Sequence, residues 1–89
     1  MARAGRKRDA GELSPAMYTV LRVIADAEDA ALPLPTLAAM ADAIRADGIL
    51  SGTRGMAKHA FLCLSDRRLI DGYGTARRLT EAGWETLEP

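Results

Sequence analysis

The residues of this chain that could do chemistry are cations, and they are sorted along the sequence. Ser51–Thr80 carries Arg54, Lys58, Arg67, Arg68, Arg77 and Arg78 against two acids, Asp66 and Asp71. Asp9–Leu50 is the reverse, with Arg22 and Arg45 against seven acids, and Glu81–Pro89 has three acids and no base. The formal net charge is zero, so any attraction for a polyanion must come from local field rather than total charge. A second candidate is the pair His59 and Cys63, four residues apart and therefore neighbours on a helix. A zinc site needs three or four ligands, and the chain has no other His or Cys. A Cys-His nucleophile is conceivable at this spacing. Cys63, however, lies beside an apolar stripe, where a buried, inert thiol is the simpler expectation. Gly72-Tyr73-Gly74 reads as a turn, not as a phosphate cradle. The chain is expected not to be an enzyme and to need no cofactor.

The elements that must position these residues follow from local signals. Ser14-Pro15 opens a first helix, Ser as N-cap and Pro at the first helical position. Met17, Val20, Leu21 and Ile24 form its apolar stripe, with Tyr18 at the margin. Acidic Ala25–Ala31 ends it, and Leu32-Pro33-Leu34-Pro35 keeps the link extended. A second helix begins at Pro35 or Thr36, turns Leu37, Met40, Ala41 and Ile44 inward, and stops at Asp47-Gly48. Ile49 and Leu50 tuck under the core.

Thr53, or else Ser51, caps a third helix whose inner side is Met56, Ala60, Phe61 and Leu64. Arg54, Lys58 and His59 fall away from that side. Gly55 weakens the helix modestly and leaves a spot free of side chain where a backbone can approach. Leu69–Leu79 reads as two short strands turning at Gly72 and Gly74. Thr80 caps a last helix, from which Trp84 and Leu87 pack back.

Composition sets the bounds. The chain's 89 residues suffice for one small domain. Hydrophobic residues at 48% allow a core, and aromatics at 4% require that core to be aliphatic, as in packed helices. One cysteine makes no internal disulfide and fits a reducing, cytoplasmic setting. No apolar run approaches the roughly 20 residues of a membrane span. The basic N-terminus has no apolar segment behind it and does not read as a secretory signal. Residues 1–12 are expected to be a disordered basic arm, in which Arg6 and Arg8 add phosphate or minor-groove contacts. Residues 13–89 form the folded domain.

The order helix, helix, helix, hairpin, helix resembles a winged helix-turn-helix domain, an α+β fold that is mostly helical. Two motifs carry the likeness. Leu64-Ser65-Asp66-Arg67-Arg68-Leu69-Ile70 is similar to the L-x-x-x-G-L-I run that leads into the wing. Leu79-Thr80-Glu81-Ala82-Gly83-Trp84-Glu85-Thr86-Leu87 is similar to the L-T-x-x-G-x-x-x-L run that follows the wing in MarR- and PadR-type regulators. Leu34-Pro35-Thr36 resembles the opening of the second helix in the LexA DNA-binding domain. The chain departs from the pattern at Arg68, where the family usually has Gly. Its link between second and third helices is also longer. With 89 residues, neither a LexA-type self-cleaving protease domain nor a MarR-type dimer built on long flanking helices is expected.

The resemblance implies a transcriptional regulator, a repressor by site occupancy, bound to double-stranded DNA. The third helix would enter the major groove with Thr53, Arg54, Gly55, Lys58 and His59 at its leading end. Arg54 would read guanine, and Arg77 and Arg78 on the wing would meet phosphate or the minor groove. A homodimer or protein partner would supply the missing affinity. The alternative is a small winged-helix adaptor or inhibitor that grips a larger regulator.

Overall fold

The computed structural model describes residues 13–49, 52–72 and 74–88. In chain order these form α1 (Pro15–Asp29), α2 (Leu37–Ala46), α3 (Arg54–Asp66), β1 (Ile70–Asp71), a short 3-10 turn (Gly74–Ala76), β2 (Arg78–Leu79) and α4 (Glu81–Leu87). The protein is mostly helical, with one two-stranded antiparallel sheet pairing Ile70 with Leu79 and Asp71 with Arg78. The expected basic arm, with Arg6 and Arg8, lies outside the described residues.

All four helices start the same way. Ser14, Thr36, Thr53 and Thr80 stand at the N-caps, and each hydroxyl accepts the N–H three residues on: Met17, Ala39, Met56 and Gly83, at 3.1–3.2 Å. Each such cap contributes about 1 kcal/mol. Three of the helices also end alike. Ala31, Gly48 and Arg68 follow the C-caps of α1, α2 and α3 in the left-handed conformation, with φ of 58°, 98° and 59°. In each case the next residue donates its N–H back to the last turn: Leu32 to Ala27, Ile49 to Ile44, Leu69 to Leu64. This is the double-bonded Schellman ending, which glycine makes without strain. Only α2 uses glycine. Arg68 adopts a left-handed conformation that glycine would take without strain.

The core lies where α1, α2 and α3 meet. Val20, Leu21, Ile24, Met40, Ile44 and Leu64 are fully buried. Leu69, Ile70 and Leu79 extend the core under the sheet, and Trp84 and Leu87 of α4 pack against it. α1 does not stop within its acidic stretch but continues through it, because Ala25 and Ala27 prolong the buried stripe while Asp26 and Asp29 face out. Ala57, not Met56, stands at the centre of α3's inner side; Met56 is only half buried. Ile49 packs against the core as expected, whereas Tyr18 is exposed.

The expected wing is short. Strand pairing covers two residues a side, and the Gly74–Ala76 turn takes up much of the connection. The outer edge of β2 is covered: the Leu79 N–H donates to Oε1 of Glu28 on α1 at 2.9 Å. Thr80 ties the far end. Its hydroxyl donates to the Arg68 carbonyl at 2.7 Å, and its N–H donates to the Leu69 carbonyl at 3.0 Å. Gly83 then lets α4 lie on that same carbonyl. A Cβ added at Gly83 would stand 2.2 Å from the Leu69 oxygen. The Leu-Thr-x-x-Gly motif is thus a packing device.

Gly83→Ala should destabilise the protein by about 2–3 kcal/mol, an overpacking cost with backbone as the unyielding neighbour. Ala31→Gly, which relieves a left-handed alanine, should instead raise stability by about 0.5–1 kcal/mol. Urea unfolding of the two variants beside the parent checks both signs.

Candidate nucleic-acid interface on the third helix

Burial of Ala57, Ala60, Phe61 and Leu64 leaves the opposite side of α3 in solvent. Arg54, Lys58, Leu62 and Asp66 follow one another at intervals of four and are all exposed, so they form one row along that side. The row runs base, base, apolar, acid. Its positive end coincides with the helix N-terminus, where the macrodipole is also positive. The first helical bond is Ala57 N–H to the Thr53 carbonyl, so the N–H groups of Arg54 and Gly55 precede the helical ladder. Thr53 Oγ1 accepts from Met56 and keeps its own proton to donate outward. Gly55 is exposed, and a Cβ there would meet nothing closer than Thr53 Oγ1 at 3.7 Å. The fold does not require glycine at this position.

His59 lies toward one edge of the same face. Its Nε2 is 3.6 Å from Cys63 Sγ. The thiol is half buried rather than buried, because it sits on the boundary between the inner and outer sides of α3. No third His, Cys, Asp or Glu joins them into a metal-holding group among the described residues.

The two arginines of the ribbon diverge, as neighbours near a strand must. Arg77 is half buried, and its guanidinium carbon lies 4.9 Å from the centre of the Phe61 ring. This cation–π contact ties the ribbon to α3, and Arg77 and Lys58 both line one groove. Arg78 is exposed on the other side, opposite Asp71 in the strand register, so an acid tempers its field.

The cations of α1 and α2 are occupied. On α1, Arg22 holds the Asp47 carboxylate with two hydrogen bonds, at 3.0 and 3.3 Å. On α2, Arg45 is paired with Asp42 and donates to the Gly52 carbonyl at 2.7 Å. Among the described residues, neither Arg54 nor Lys58 has an acidic partner. Sequence reasoning passed over Leu62, which is 50% exposed in the middle of the row. Its distance from the apolar stripe was the available signal.

Asp47 carries the resolved acid shift. The buried Thr19 hydroxyl donates to it at 2.5 Å. That bond first, and the Arg22 hydrogen bonds second, hold its carboxyl below the ordinary value of 3.8, against a smaller opposing effect of burial. A carboxyl lowered on folding stabilises the fold above its unfolded value, and that contribution is lost as pH falls through the folded value. The unfolding midpoint of the parent should therefore exceed that of Asp47→Asn by a constant margin from neutral pH down to about pH 5, and the margin should close below about pH 4. A urea titration at each pH measures it.

The chain matches no protein-family model, no curated protein and no solved structure.

Proposed function

We propose that this protein binds double-stranded DNA through the outer row of α3, with the β-ribbon beside it, as a winged helix-turn-helix regulator of transcription. The observation that carries the reading is the distribution of unpaired cations. The bases of α1 and α2 are each engaged by a carboxylate, whereas Arg54 and Lys58, at the positive end of a helix, have none among the described residues. Surface ion pairs add little stability, but they do cancel field, so Arg54 and Lys58 offer a polyanion more attraction than the bases of α1 and α2 do.

On this reading Arg54 contacts a base edge, for which its planar fork suits guanine. Thr53 and the first N–H groups of α3 take a phosphate. Gly55 lets the backbone approach. Lys58 and Arg77 meet phosphates at one side of the helix, while His59 and Arg78 lie at the margins. The row ends in Asp66, which confines the contact to the first turns of α3. One short helix and a two-residue ribbon bury little surface, so tight occupancy needs a second copy or a partner. Regulation follows from occupancy: a covered site is closed to other machinery. A reducing cytoplasm is the compartment that suits this activity.

Binding of a random-sequence duplex should weaken steeply with salt, because each neutralised phosphate releases counterions. Lys58→Ala should lower the salt slope by about 1. Gly55→Ala separates contact from folding. It should raise stability by about 0.5–1 kcal/mol through helix propensity, yet weaken DNA binding by crowding the backbone approach. A salt-independent affinity, or a Gly55→Ala variant that gains stability and keeps full DNA affinity, would count against this interface.

A further inference from the structure

Beside the row of α3 runs an apolar groove of about 300 Å³. Leu34 and Leu37, from the link into α2 and its first turn, form one side; Phe61 and Leu62 of α3 form the other. The charged residues that line it are Lys58 and Arg77, and no acid does. The N-terminus of α2, capped by Thr36, opens at the same place and adds positive potential. An apolar groove whose lining charges are both cationic selects an occupant that is apolar on one face and acidic at its border.

The backbone narrows the choice further. Pro33 and Pro35 in the adjoining link have no N–H to offer, so an added strand finds poor pairing there. Recognition must run through side chains, as when an amphipathic helix lies in a groove with anchors at i, i+3 and i+4. Leu62 supplies the exposed apolar contact, and Lys58, one turn before it on the same row, supplies the charge.

We propose that this groove docks an acidic amphipathic helical segment of another protein, and that its occupant competes with DNA for Lys58. The competition rests on the DNA-binding reading above; the docking surface does not. An acidic helix seated here would place carboxylates where α3 would otherwise receive phosphates, and so would release the regulator from its site.

The test uses two fluorescein-labelled synthetic helical peptides. Both carry leucines at i, i+3 and i+4; one has glutamates between them and the other has lysines. Anisotropy should report binding of the glutamate peptide with an affinity at least about tenfold above that of the lysine peptide. Leu62→Ser and Lys58→Glu should each weaken it by about tenfold. Both positions are exposed, and circular dichroism checks that the variants remain folded. Unlabelled duplex at low salt should displace the peptide. Equal affinity for the two peptides, or indifference to Leu62→Ser, overturns the docking surface. Direct DNA binding without peptide binding overturns it too and leaves the DNA reading standing. Peptide binding with no DNA binding at any salt overturns the DNA reading, and with it the competition, while the docking surface survives.

Discussion

What α3 presents to solvent is decided by what it buries. Ala57, Ala60 and Leu64 face α1 and α2 in the core, and the small size of the two alanines lets the helix backbones come close. A helix anchored along one side has no rotational freedom left, so Arg54, Lys58, Leu62 and Asp66 must stand outward in a single row. Rotating α3 by one residue would bring Lys58 or Leu62 toward the core and expose Leu64, at a cost of several kcal/mol in buried apolar area. Both the proposed DNA contact and the neighbouring groove depend on that packing.

The remaining elements hold this arrangement rather than extend it. Thr19, Arg22 and Asp47 clasp α1 to the end of α2, which fixes where the chain departs toward α3. Thr80 and Gly83 seat α4 on the carbonyl of Leu69. Glu28 covers the open edge of β2, so a ribbon of two residues a side is not left as a bare strand edge. Three acids of the first half, Glu28, Asp42 and Asp47, are thereby engaged within the fold. The consequence for electrostatics is that Arg22 and Arg45 are each paired with an acid, while Arg54 and Lys58 have no acidic partner among the described residues.

Arg77 illustrates how a single side chain serves two ends. Its guanidinium rests on Phe61, which steadies the ribbon against α3, and the same side chain lines the groove. Arginine manages both because its planar cation stacks on a ring while its edges still hydrogen-bond. The same contact keeps the ribbon close to the body of the protein.

Much of the fold was legible in the sequence because its signals act within a turn or two. Ser14, Thr53 and Thr80 announce helix starts because a hydroxyl finds an N–H three residues on. Gly48 announces an ending, and the stripes of Leu, Ile and Val announce the core. Gly83 was legible only as a letter in a motif; its reason, the carbonyl of Leu69, lies in another element. Arg68 and Ala31 were not readable as left-handed residues, since their side chains do not favour that conformation and only the surrounding turn imposes it. The exposure of Leu62, the pairing of Arg22 with Asp47, the reach of Glu28 to the Leu79 N–H and the stacking of Arg77 on Phe61 belong to the tertiary structure alone. Each joins groups far apart in the chain, where residue type states what a side chain is able to bond but packing decides what stands within reach.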